Sequence, residues 1–160
     1  MKYSIKEYPE RYFIGIELEG GVHHSSADKI PLLWESFFDD MKLLDQSKLQ
    51  DKFIGLECYP PDFRETKTFD YYTMIQTSEL VEQDGFVSKK LPAGSYISFE
   101  ILFRDITNQI HACYEYVKEH NINVHMGFDF EDYLNDQDYT NADDSVLHFS
   151  MLLETDNRDE

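Results

Sequence analysis

Cations are scarce in this 160-residue chain: 14 Lys and Arg face 32 Asp and Glu, for a formal charge of −18. Phosphate recognition needs clustered cations, so the balance excludes a protein that binds nucleic acid directly. It excludes docking on an anionic membrane surface for the same reason. Long apolar runs are also missing. The start, Met1-Lys2-Tyr3-Ser4-Ile5-Lys6, lacks the apolar core of a secretory signal, and no stretch approaches a membrane span. The expectation is a cytoplasmic protein without membrane contact. The two cysteines, Cys58 and Cys113, lie far apart with no partner motif, and they read as buried free thiols of a reducing compartment.

Motifs that announce chemistry are absent as well. The chain has no GxSxG elbow, P-loop or dinucleotide fingerprint. His23 and His24 are adjacent, so they point apart if extended, and His111, His120, His125 and His148 show no zinc-ligand spacing. The acidic stretch Asn135–Asp144 lacks the Gly and Glu that a calcium loop requires at its sixth and twelfth positions, and reads as a solvated loop. Ser95 follows Ala-Gly in a turn without the signal of a base partner, and Cys113 lies on an apolar helix stripe that suits a core. Neither a metal nor a cofactor is expected.

What is present is core material: 41% hydrophobic and 15% aromatic residues. A chain of this length buries roughly two-thirds of its unfolded surface without disulfide or metal staples. The expectation is a single domain over residues 1–154 with an acidic tail at 155–160. Two segments have helical spacing. From Asp28 to Asp45, Ile30, Leu33, Trp34, Phe37, Met41 and Leu44 form one stripe, with Ser25, Ser26 and Asp28 as cap candidates and Pro31 in the first turn. From Asp105 to Asn121, Ile106, Ile110, Cys113, Tyr114 and Val117 form another. Strand alternation marks Met1–Glu7, Arg11–Glu19, Phe53–Tyr59, Thr66–Thr77, Phe86–Leu91, Ser95–Phe103, Gly127–Tyr133 and Ser145–Leu153.

The two halves, about 1–80 and 86–154, look alike. Phe13-Ile14-Gly15-Ile16-Glu17-Leu18 and Tyr96-Ile97-Ser98-Phe99-Glu100-Ile101 share one pattern, and each precedes a helix. After each helix comes Glu-x-Tyr: Glu57-Cys58-Tyr59, then Glu131-Asp132-Tyr133. This predicts an α+β fold, a duplicated strand–helix–strand–strand unit with pseudo-twofold symmetry. The two helices would cover one face of an antiparallel sheet and a ligand cleft would lie on the other. Parity assigns the faces. Ile14 and Ile16, Ile54 and Leu56, Ile97, Phe99 and Ile101, and Phe128 and Phe130 suit packing against helices. The opposite positions mix acids with aromatics: Phe13 and Glu17, Glu57 and Tyr59, Tyr96 and Glu100, Glu131 and Tyr133. If these second faces converge, carboxylates beside π-faces suit an organic cation. A sheet with one solvated face shows the same alternation, so both readings stand at this point.

Pro31-Leu-Leu-Trp34-Glu-Ser-Phe37, Leu91-Pro92-Ala93-Gly94-Ser95-Tyr96-Ile-Ser-Phe99, Phe128-Asp-Phe130-Glu131-Asp-Tyr133 and Asp143-Asp144-Ser-Val-Leu-His-Phe149 occur in that order. Together they resemble the GyrI-like, or AraC-type effector-binding, domain family of bacteria over nearly the whole chain. The resemblance implies a duplicated fold around a central ligand cleft, with Glu131 as a cleft glutamate that meets cationic, aromatic ligands. Trp34 and Tyr96 match aromatic positions of the family motifs. Glu17, Glu57, Glu100, Phe13, Tyr59 and Tyr133 rest on the parity argument and the repeat. The chain departs from members ending in an Ile-Pro-like strand, since it reads Met151-Leu152-Leu153. It also leaves no room for the helix-turn-helix of the family's regulators, so a stand-alone domain is expected.

The leading expectation is capture of a hydrophobic, cationic aromatic small molecule, for sensing or sequestration. A second is a hydrolase of strained, electrophilic cyclopropyl natural products, as some stand-alone relatives are, with Glu131 and Glu100 as paired carboxylates. The third is an acidic protein partner that blocks a DNA-handling enzyme such as gyrase, from which the family takes its name.

Overall fold

A computed structural model of the chain describes residues 1–23, 27–133 and 145–154. The cap candidates Ser25 and Ser26, the 135–144 loop, His24 and the 155–160 tail lie outside the described residues. Eight strands form one antiparallel sheet: β1 (Tyr3–Tyr8), β2 (Arg11–Glu17), β3 (Leu49–Cys58), β4 (Asp70–Thr77), β5 (Val87–Leu91), β6 (Gly94–Leu102), β7 (Phe128–Tyr133) and β8 (Val146–Leu152). Helix α1 (Ile30–Asp40) follows β2, a single turn α2 (Phe63–Thr66) follows β3, and α3 (Ile106–Glu119) follows β6. The fold is therefore α+β. Among the described residues, no helix is long and apolar enough to cross a membrane.

The apolar stripes lay down the helices where spacing predicts them. Helix α1 carries Pro31 in its first turn, buries Trp34 and Phe37, and tightens after Asp40 into a 3-10 turn, Met41–Leu43. The predicted strand from Thr66 begins only at Asp70. Pro60 and Pro61 lead the chain into α2 instead, and Lys67 ends that turn in the left-handed region at φ 58°. Cys113 is buried and Cys58 is half-buried, and both are free thiols.

The strand order is β1-β6-β8-β7-β3-β4-β2-β5. Two strand–helix–strand–strand units, β2-α1-β3-β4 and β6-α3-β7-β8, thus meet at the sheet centre, where β3 pairs with β7. Each unit is extended by the other's preceding strand: β1 pairs with β6, and β5 with β2. This exchange bends the sheet. Six strand spacings separate β1 from β2 in the order, about 29 Å if flat. Only Pro9 and Glu10 connect them, and such a link reaches about 11 Å. The sheet must curl until its two ends meet.

Curling gives the sheet two apolar interiors. On one face, α1 and α3 cover Ile14, Phe53, Ile75, Ile97, Phe99, Ile101, Leu147, Phe149 and Met151. Inside the curl on the far face lie Phe13, Ile54, Leu56, Met74, Leu91, Tyr96 and Phe130. The parity reading thus holds for β2 and β6, whose aliphatic sides meet the helices. It is reversed for β3 and β7, where Ile54, Leu56 and Phe130 point away from them. Both faces are apolar, so hydrophobicity alone does not identify the side on which the helices sit.

Candidate functional site

The reversal carries acids under the helices. In register, Glu57 of β3 stands opposite Asp129 of β7, and Gly55 stands opposite Glu131. All four positions share the helix side of the two central strands. Glu57 and Glu131 are each 5% exposed, and Asp129 is 1% exposed. Tyrosine hydroxyls from the end of β3, from β7 and from α3 make this burial tolerable. Tyr59 donates to Asp129 Oδ2 at 2.8 Å and lies 3.1 Å from Glu57 Oε2. Tyr114 of α3 also donates to Asp129 Oδ2. Tyr133 donates to Glu131 Oε2 at 2.9 Å. Behind them, Trp34 Nε1 of α1 donates to the Tyr71 hydroxyl at 3.1 Å.

Gly55 is needed here for space. A Cβ at that position would overlap the Tyr71 hydroxyl, which reaches across the strand toward the acids. The arrangement also repeats: Tyr59 bonds the glutamate two residues before it, as Tyr133 does. One offset relates Gly55, Glu57 and Tyr59 to Asp129, Glu131 and Tyr133. The pattern breaks where the first unit has a glycine and the second an aspartate.

No Lys, Arg or His among the described residues forms an ion pair with any of the three acids. Burial therefore dominates the titration of Glu57 and Asp129. It holds Glu57 well above the ordinary carboxylate range, and the charges of Asp129 and Glu131 push in the same direction. Asp129 is pushed up to about 6 by burial, against the hydrogen bonds from Glu57, Tyr114 and Tyr59. Hydrogen bonding to Glu131 and Asp129 acts on Glu57 in the same direction. Burial raises Tyr59, Tyr71, Tyr114 and Tyr133 as well, so they remain donors at neutral pH. Asp129 Oδ1 is buried without a hydrogen-bond partner. The described residues contain no group of three acids, histidines or cysteines with a geometry that would hold a metal ion.

Residues 4–148 match the model of a family described as integron-associated effector binding protein. The chain belongs to that family. The match fits the GyrI-like fold that the sequence motifs imply, and three solved structures align with nearly the whole chain. SAV2435 bound to tetraphenylphosphonium is 16% identical over 96% of this chain and 94% of that one, with TM-score 0.70. A putative transcription regulation protein from Staphylococcus aureus MU50 is 16% identical over 97% and 99%, with TM-score 0.69. An integron cassette protein from Vibrio cholerae is 17% identical over 95% and 95%, with TM-score 0.57. At these identities the likeness is one of fold. No curated protein matches the chain by sequence.

Of the nine residues picked from the sequence of this effector-binding chain, the structure gathers five: Glu131, Tyr133, Glu57, Tyr59 and Trp34. The other four do not join them. Phe13 and Tyr96 are buried in the far-face core. Glu17 is exposed at the end of β2, and Glu100 pairs with Lys2 at 3.0 Å. The expected convergence of four glutamates is therefore corrected to two, joined by Asp129. The Glu100–Glu131 pair expected for a hydrolase is not formed, because the two lie on opposite faces. Tyr71, Tyr114 and Asp129 were not singled out by the sequence. Parity puts Asp129 beside Glu131, whereas Tyr114 is indistinguishable from core in its helix stripe.

Proposed function

We propose that this chain captures a hydrophobic aromatic cation between α1 and α3, over Glu131, Glu57 and Asp129. The observation that carries the reading is the buried acid trio without a basic partner. A buried carboxylate costs several kcal/mol unless a counter-charge or a proton offsets it. A lipophilic cation supplies the charge, and the surrounding rings of Trp34, Tyr59, Tyr114 and Tyr133 supply cation–π contact. The tetraphenylphosphonium carried by SAV2435 has this chemistry. The acids are roofed by aromatic side chains, with Trp34 5.2 Å from the Tyr133 ring and 5.7 Å from the Phe38 ring. Entry therefore requires those rings to move.

Trp34 is the single tryptophan and lies in the site, so its fluorescence reports binding directly. Titration with tetraphenylphosphonium should give a saturable change that weakens about tenfold or more in Glu131→Gln. Affinity should rise with pH as Asp129, at about 6, loses its proton. Absence of saturation at millimolar ligand, or equal affinity in Glu131→Gln, overturns the reading.

A further inference from the structure

The far face holds the opposite imbalance. Arg11, the first residue of β2, sits at the seam where the curled sheet closes and is 8% exposed. Its guanidinium lies 3.7 Å from the Tyr8 ring centroid, 5.5 Å from those of Phe13 and Phe130, and 5.8 Å from that of Tyr96. The Tyr96 hydroxyl near it donates to the Pro92 carbonyl at 2.7 Å. Nε and Nη2, however, are buried and have no partner. These two nitrogens form one edge of the planar fork, and their N–H bonds run side by side with the spacing of two carboxylate oxygens.

Stacking on rings stabilises the cation but satisfies neither N–H, and an unmade bond from a buried charged donor is expensive. Among the described residues, no acid forms an ion pair with Arg11. Asp132, the acid whose charge acts on it, is also acted on by Lys6, Lys52 and His148. Lys89 lies over the Tyr72 ring at 4.6 Å on the same side. Lys6, Lys52 and Lys89 thus lie on the same face as Arg11, beside the acids Glu17, Asp70, Glu100 and Asp132.

We propose that Arg11, with Tyr8, Phe13, Tyr96 and Phe130, forms a second binding site for a planar aromatic monocarboxylate. The carboxylate accepts from Nε and Nη2, while its ring joins the aromatic cluster. Tyr8, half-buried at the end of β1 and stacked on the guanidinium, is the side chain that moves to admit it. The site lies across the sheet from the acid trio and does not depend on the cation reading.

The test uses the full chain, labelled with 15N, titrated with 2-naphthoate while the Arg11 Nε–H resonance is followed. The uncharged 2-naphthalenemethanol serves as the matched control. The naphthoate should shift the resonance saturably and bind about tenfold or more tightly than the alcohol. By calorimetry, Arg11→Lys should lose about the same factor, because an ammonium keeps the charge but not the paired edge. An unmoved Arg11 resonance at millimolar naphthoate, equal binding of the alcohol, or unchanged affinity in Arg11→Lys overturns the proposal. If Arg11→Lys does not fold, the two ligands on the wild type decide it.

Discussion

On the helix side of the central strands, Glu57, Asp129 and Glu131 are buried among tyrosine hydroxyls with no cation paired to them. On the far side, Arg11 is buried among rings with two unmade hydrogen bonds. Both surroundings are aromatic, and both faces pack as dense interiors. They differ in which partner is missing, and hence in the sign of charge each would accept. Strand β7 produces much of the difference by simple alternation: Asp129 and Glu131 face the helices, while Phe130 between them faces the curl. Burial depth is alike on the two faces, and the identity of the unsatisfied atoms distinguishes them.

If the faces are equivalent as interiors, removing one large ring from either should hurt equally. Phe130 and Phe149 are both fully buried, one on each side. Phe130→Ala and Phe149→Ala should each lower the free energy of urea unfolding by about 3–5 kcal/mol. A much smaller loss for Phe130→Ala would mean that the curl is a loose cleft and not a core.

The next effect separates the faces by pH. Asp129 ordinarily titrates near 3.8 but keeps its proton to about 6 when folded. The folded state therefore binds the extra proton, so its contribution is fully present below about 3.8 and is lost as pH rises through 6. The loss is on the order of 3 kcal/mol. Glu57, raised above its ordinary 4.5, acts in the same direction. Urea melts across pH 4–7 should show this slope, and Asp129→Asn should flatten it. An unchanged slope in the variant would remove Asp129 from the account.

The smallest effect concerns a glutamate on the other side. Glu100 pairs with Lys2, whose side chain is 83% exposed, so Glu100→Gln should change stability by less than about 0.5 kcal/mol. A change as large as that of the buried acids would break the contrast between the faces.

Much of this contrast is legible in the sequence, within definite limits. The Glu-x-Tyr repeat marks Glu57, Tyr59, Glu131 and Tyr133 because an i, i+2 pair shares a strand face and can bond locally, as both pairs do. Trp34 stands out on its helix stripe. Parity, however, gives only relative sides within one strand. It does not relate the sides of β2 to those of β3, which are joined through a helix and separated in the sheet by β4. Glu17 and Glu100 fit the same local pattern as Glu57 and Glu131 and yet end up across the sheet. Arg11 is hidden for another reason. A strand-initial arginine ordinarily reads as solvated, and only the closing of the curl brings Tyr8, Phe130 and Tyr96 around it.

The exchange of first strands also sets an order of events. During synthesis Tyr3–Tyr8 is made early, but its hydrogen-bonding partner, Gly94–Leu102, follows only after more than half the chain. Likewise Val87–Leu91 leaves its own half to complete the edge begun by Arg11–Glu17. Neither half can be severed as a self-sufficient fragment, since each would lack an outer strand and carry one with no ladder to join. Such long sequence separations slow folding and leave edges exposed meanwhile. The seam at Arg11 closes only when both halves have been made.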